Sequence, residues 1–167
     1  TIKTFQLGYA PDQWDFVTRF LEKRNFPLPL MVKAGLIGKD EGGERYFDRL
    51  RGRIIFPIWN HQGQVVGFGG RLLGEGHPKY LNSPETIIFR KGKLLYNFHR
   101  ARQEIRTHQT ALLLEGYADV LTAFQAGIRT AIATLGTALS EDQARLIKRN
   151  AQRVIICYDG DQAGIQA

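Results

Sequence analysis

Between residues 110 and 158 the chain repeats a pattern that few folds accommodate: three uninterrupted apolar runs separated by two helical stretches. The runs are Ala111-Leu-Leu-Leu114, Thr130-Ala-Ile-Ala-Thr-Leu135 and Arg153-Val-Ile-Ile-Cys-Tyr158. Strands without polar alternation are buried on both faces, and a single helix between neighbours makes each connection a crossover. The segment therefore predicts a parallel sheet, covered on both faces, with right-handed crossovers. One helix is expected over residues 119–126, stopped by Gly127. The other opens at Ser140, whose spacing to Gln143 is a capping-box signature, and runs to about Asn150.

Ligands of open parallel sheets bind outside the carboxyl ends of the strands, and two of these three runs carry acid there. Glu115 follows the first run directly, and Asp159-Gly-Asp161 follows the third; Asp119 stands at the start of the next helix. An Asp-x-Asp turn lets two carboxylates converge on one cation, and Gly160 lets the backbone bend tightly between them. Grouped carboxylates repel unless a divalent cation neutralises them, and an all-oxygen donor set favours Mg²⁺ or Mn²⁺ over Zn²⁺. An aspartate at a strand end also caps the following helix without any metal, and Asp159 or Asp161 alone fits either role. Glu115, a poor cap followed by Gly116, fits the metal role better.

Upstream, Pro11 suits a first helical turn, and Trp14, Val17, Phe20 and Leu21 recur at helical spacing until Pro27. Trp14 and Phe20 are expected in the core. A short helix is expected over residues 30–34, capped by Gly35. Residues 53–58 and 64–73 read as an antiparallel hairpin around the turn Asn60-His-Gln-Gly63, with Pro57 at an edge or bulge. Gly67, Gly69 and Gly70 invite the approach of another backbone. As a dinucleotide motif they fail, because the third glycine is absent and no helix follows. Pro78 to Thr86 reads as an ordered loop or short extended segment, and residues 97–107 as a basic helix with Phe98, Ala101 and Ile105 on its apolar face.

Charge is unevenly placed. The net +7 resolves into 6 basic and 6 acidic residues over 1–44, 12 and 4 over 45–106, and 5 and 6 over 107–167. The basic middle is expected to be a polyanion platform rather than a generally solvated surface. Within it, Tyr80 and Phe89 are aromatics that could stack on bases, although the core is the commoner place for either. Cys157 is the only cysteine and the 4 histidines form no cluster, which excludes an internal disulfide and multi-cysteine zinc sites. No run approaches a membrane span, and the first residues have no signal-peptide pattern. A soluble intracellular protein is expected. The missing initial Met and an ending inside a helical turn suggest a piece of something longer.

The order of motifs carries a resemblance. Glu115-Gly-Tyr-Ala-Asp-Val120, Thr134-Leu-Gly-Thr137 and Cys157-Tyr-Asp-Gly-Asp161-Gln-Ala-Gly164 resemble the successive motifs of a Toprim domain as found in bacterial DnaG-type primases. Leu7-Gly-Tyr-Ala-Pro11, Arg51-Gly-Arg-Ile-Ile-Phe-Pro-Ile58, Gly67-Phe-Gly-Gly-Arg71, Pro78-Lys-Tyr-Leu-Asn-Ser-Pro-Glu-Thr86 and Phe89-Arg-Lys-Gly92 are similar to the same family. The resemblance covers nearly the whole chain, and the Pro78 to Thr86 segment separates it from other Toprim enzymes.

It implies an α/β fold: a mixed α+β N-terminal subdomain over 1–106, then a truncated Rossmann-like Toprim domain over 107–167 with a parallel sheet. It implies metal-dependent synthesis of short RNA primers from ribonucleoside triphosphates on single-stranded DNA. Glu115, Asp159 and Asp161 are then the catalytic acids and metal ligands, with Asp119 in support and Glu115 either ligand or acid-base. Arg53, Lys79 and Lys91 fall on the family's basic positions, and Arg71 and Lys93 are expected to extend their track along the template. Mg²⁺ or Mn²⁺ is the implied cofactor, with zinc confined to a separate N-terminal domain absent from this chain. The implied partners are the template, the ribonucleotides, the RNA primer and a replicative helicase bound through a missing C-terminal domain. A cytoplasmic monomer at the bacterial replisome, without membrane contact, is expected, and residues 1–167 alone are expected to be inactive. A Toprim nuclease and a non-enzymatic single-strand binder are the rival readings.

Overall fold

The computed structural model describes residues 1–136 and 138–159. It is a mixed α/β structure of two compact units, residues 2–57 with 66–89, and residues 58–65 with 90 onward.

The first unit contains helices α1 (Ile2–Phe5), α2 (Phe16–Glu22) and α3 (Leu28–Lys33). Its strands are β1 (Gly8–Ala10), β2 (Ile37–Lys39), β3 (Tyr46–Asp48), β4 (Arg53–Trp59), β5 (Val65–Leu72) and β6 (Tyr80–Asn82), except that the hairpin end of β4 and β5, residues 58–65, counts with the second unit. Strands β1-β4-β5-β6 form one sheet in that order, while β2 and β3 form a separate antiparallel pair. Pro57 is tolerated in β4 because β1 pairs only as far as Gly8 opposite Ile55. The hairpin turn closes as Asn60 N–H donates to the Gln64 carbonyl (2.9 Å), and the Asn60 side-chain oxygen takes the Gln62 and Gln64 N–H groups (both 3.0 Å).

Pro11 lies outside α2, which begins only at Phe16. Its N-terminus is capped from another element. Asp48 of β3, 2% exposed, accepts from Val17 N–H (2.5 Å), Thr18 N–H (3.1 Å) and Thr18 Oγ1 (2.7 Å). Trp14 and Phe20 are 54% and 47% exposed, which corrects their assignment to the core. Each has an arginine over its ring instead: Arg51 lies 4.5 Å from the Trp14 centroid and Arg24 3.6 Å from that of Phe20. A guanidinium covers an aromatic face while its own edge stays in water, so the apolar ring need not turn inward.

Gly67 and Gly70 of β5 do mark close approach, but by side chains rather than backbone. A Cβ on Gly67 would stand 3.0 Å from the Phe89 ring, and one on Gly70 2.9 Å from Cδ of Arg53. Phe89 is therefore fully buried.

The second unit holds a 3-10 turn (Lys91–Lys93), α4 (Phe98–His108), β7 (Thr110–Leu114), α5 (Tyr117–Gln125), β8 (Ala131–Ala133), α6 (Glu141–Lys148) and β9 (Arg153–Cys157). The strands are parallel in the order β8-β7-β9. The crossover through α5 runs to one side of β7 and that through α6 returns to the other, so right-handedness puts the two helices on opposite faces. Leu95, Phe98, Ala101 and Ile105 accordingly pack with Ala111, Leu113, Ile132 and Ile147 in one buried cluster. The apolar face expected for α4 is the face that does this. Trp59 stacks on His99 (5.1 Å between centroids), and burial, followed by the Arg100 charge, pushes His99 down to about 4.

The expectation of a sheet covered on both faces holds for β8, fully buried, and largely for β7. It fails at β9, where Val154, Ile155 and Ile156 are 41%, 46% and 59% exposed. Among the described residues β9 pairs with β7 alone, as an outer strand. No described helix is long and apolar enough to cross a membrane.

Candidate metal and nucleic-acid site

In the order β8-β7-β9 the connections change direction between β7 and β9, and the crevice outside their carboxyl ends is the topological switch point of the sheet. Glu115 leaves β7 there, next to Leu114, which pairs with Cys157 of β9. Asp159 follows two residues beyond Cys157. Its backbone N–H donates to Oε2 of Glu115 at 3.2 Å, so two acidic residues 44 apart in sequence meet, the carboxylate of one against the backbone of the other.

Among the described residues no lysine, arginine or histidine pairs with Glu115 or Asp159. Between them in sequence register, Tyr158 has its phenol pushed up by burial and then by the Glu115 charge. Acidic residues that meet without a paired cation offer oxygen donors of the kind a hard divalent cation takes. Among the described residues no group of three metal-ligating side chains gathers, and Asp161 lies outside them. Asp119 has a structural job: its Oδ2 accepts the Gly116 N–H (3.0 Å) at the start of α5. That is the N3 role of a capping box, filled by the third residue of α5.

The basic candidates divide between the units. In the first, Arg53 is 6% exposed, its charge disfavoured by burial and then by Arg51. Its Nη1 donates to the carbonyls of Gly70 (3.4 Å) and Lys79 (3.3 Å), linking β4 to β5 and to the approach to β6. Arg71 is half-buried and lines an open groove of about 620 Å³ with His77, Lys79 and Glu75. Lys79 is exposed. In the second unit Lys91 and Lys93 flank Gly92 on the 3-10 turn, Lys93 exposed and 3.8 Å from Asp142. Tyr80 is 41% exposed, and Phe89, being buried, is closed to bases.

One cationic feature escaped sequence reasoning. Arg51 lies over Trp14 and 5.7 Å from the Phe47 ring, while Trp14 Nε1 donates to the Tyr46 carbonyl (3.1 Å). An exposed indole under a guanidinium is suited to stacking on nucleic-acid bases. The signal was the polar setting Asp12-Gln13-Trp14-Asp15, unusual for a core tryptophan.

Comparison with known proteins bears on the chain as a whole. Residues 1–102 match the family model for the N-terminal domain of the DNA primase catalytic core, and residues 109–167 match a Toprim domain. The chain is 60% identical over 167 residues to a DNA primase of Geobacillus stearothermophilus, covering all of this chain and 28% of that protein. A crystal structure of a DNA primase domain from Pseudomonas aeruginosa superposes with a TM-score of 0.93 at 44% identity, covering 99% of this chain and 51% of that one. A DnaG primase catalytic domain bound to single-stranded DNA gives 0.87 at 43% identity, covering 99% and 51%. By its matches to family models over residues 1–102 and 109–167 and by its fold, the chain belongs to the DnaG-type DNA primase family.

Proposed function

We propose that this chain is part of a primase that makes short RNA primers on single-stranded DNA, with residues 1–106 as its basic subdomain and 107–167 as its Toprim domain. The observation that carries the reading is the meeting of Glu115 and Asp159 at the switch point of the parallel sheet. The reaction is attack of a ribonucleotide 3′-hydroxyl on the α-phosphorus of an incoming triphosphate, with pyrophosphate leaving. Mg²⁺ or Mn²⁺, held by Glu115 and Asp159 with Asp161 and Asp119 as further candidate ligands, would supply charge stabilisation on the phosphate oxygens and acidify the attacking hydroxyl. The protein's share is positioning. Arg71 and Lys79 in one unit, and Lys91 and Lys93 in the other, hold backbone phosphates. Arg53 holds the strand backbones near Arg71 and Lys79, and Trp14 with Arg51 offers a stacking surface.

The chain spans 28% of the relative's length and about half of the solved domains. Residues 1–167 alone are therefore proposed to be inactive, and the bacterial replisome, reached through a helicase contact elsewhere in the protein, to be the place of action. The test is a synthesis assay with full-length protein, ribonucleoside triphosphates, Mg²⁺ and a single-stranded template. Template-dependent RNA products are expected. Cleavage of DNA without synthesis would turn the reading to a Toprim nuclease, and metal-independent binding without either activity would turn it to a binding module.

For the basic platform, Lys79→Ala and Lys91→Ala are each expected to weaken single-stranded DNA binding roughly threefold to tenfold. Each should also lower the slope of log affinity against log salt by about 0.7, the value for one phosphate contact on a single strand. Fluorescence anisotropy across a salt series measures both, and unchanged affinity at low salt counts against the platform.

A further inference from the structure

We propose that Gln143 is a positioning residue for nucleic-acid binding: its buried carboxamide, helped by the Ser140 hydroxyl, holds the turn that presents Lys91 and Lys93 to template phosphates. The proposal deepens the functional reading above and rests on it.

Gln143 is fully buried. Its Oε1 accepts the Ser140 N–H (2.9 Å), and its own N–H donates to Ser140 Oγ (3.2 Å), which together complete the helix cap. A cap asks no more of it. Yet its Nε2 also donates to the carbonyls of Lys91 (3.0 Å) and Leu94 (2.7 Å), about fifty residues earlier in the chain. Ser140 Oγ donates to the carbonyl of Gly92, between them. The start of α6 thus grips three carbonyls of one short turn. Beyond the turn, Tyr96 N–H donates to the Ala133 carbonyl (2.8 Å) and Asn97 Nδ2 to that of Ala131 (3.0 Å), so β8 holds the other end.

A lysine ammonium swings on four methylenes, so only a fixed backbone confines where it can reach. Glutamate at 143 would serve a capping box equally well, because it too accepts the Ser140 N–H. It could not donate to two carbonyls and would set a negative charge against them. The amide is therefore suited to the turn rather than to the helix.

The test uses the full-length protein, a labelled oligothymidylate and anisotropy across a salt series. Lys91→Ala with Lys93→Ala is expected to weaken binding and lower the salt slope by roughly 1.4, the value for two single-strand phosphate contacts. Gln143→Met keeps volume and net charge. It is nevertheless expected to weaken binding about fivefold and to lower the slope, because the ammonium groups no longer meet phosphates. Gln143→Glu should do at least as much. In the Lys91→Ala/Lys93→Ala background, Gln143→Met should add nothing, as a double-mutant cycle requires of groups acting through one another. Mn²⁺ binding should survive in every variant and reports an intact Toprim sheet.

A Gln143→Met protein that binds with the parental slope, or whose loss adds fully to that of the lysine variants, overturns the proposal. If the lysine variants themselves change nothing, the nucleic-acid reading of the turn fails, and this inference with it. Should Gln143→Met not fold, Ser140→Ala, which deletes the tether to Gly92 from a half-exposed position, enters the same cycle with the same outcomes.

Discussion

Glu115→Gln combined with Asp159→Asn is expected to abolish Mn²⁺ binding and to reduce primer synthesis by at least about a thousandfold in the full-length enzyme. Both substitutions keep shape and remove charge. The glutamine oxygen can still accept the Asp159-position N–H that now meets Glu115 at 3.2 Å, so the end of the sheet has no reason to open. Neither carboxylate pairs with a cation among the described residues, so their removal should leave the melting temperature of the metal-free protein unchanged or slightly higher. Mn²⁺ should raise the melting temperature of the parent but not of the variant, because only a state that binds the ion is stabilised by it. Single-stranded DNA affinity should persist or rise, since the pair contributes only negative charge. Isothermal titration with Mn²⁺ beside the synthesis assay decides the matter: either function surviving at parental level would remove Glu115 and Asp159 from the site. Asp159→Asn with Asp161→Asn is expected to behave in the same way.

Arg53→Ala is expected to destabilise the fold by about 3 kcal/mol, measured by urea denaturation. Arg53 is 6% exposed, and its stem lies so close over Gly70 that an added Cβ there would stand 2.9 Å from Arg53 Cδ. Truncation leaves a void against β5 and takes the donor from two carbonyls, those of Gly70 and Lys79. Arg53→Lys should recover part of the loss through its stem, but not the full reach by which Nη1 meets both carbonyls. The salt slope of DNA binding by the folded fraction should not change. A stability loss under about 0.5 kcal/mol together with a lower slope would make Arg53 a phosphate contact instead.

The Toprim half was legible because its signals are local. Uninterrupted apolar runs marked β7, β8 and β9, Ser140 with Gln143 marked the start of α6, and strand ends marked Glu115 and Asp159. What stayed hidden depends on partners distant in sequence. Nothing around Phe16 announces that Asp48 caps its helix, and nothing around Gln143 announces the Lys91–Leu94 turn. Hydrophobic spacing placed Trp14 and Phe20 inside because it ignores what an arginine can do over a ring. The pattern of glycines in β5 told that something comes close, but not that it would be Phe89 and Arg53. Basic composition, finally, does not separate a cation that meets solvent, such as Lys79, from one tied to carbonyls, such as Arg53.

The placement of β7 between β8 and β9 also sets a schedule. Leu114 and Cys157, the register partners at the carboxyl ends, are separated by a complete crossover on each side of β8. Glu115 emerges from a ribosome well before its neighbour exists, and at roughly 5 to 20 residues per second the wait lasts several seconds. Parallel pairing over such a separation closes slowly, after the local helices have formed. The contact between Glu115 and Asp159 is thus assembled late in folding. A nascent chain can collapse its first unit before Glu115 has its neighbour, and damage to the α6 crossover would delay that meeting even where the final structure is unchanged.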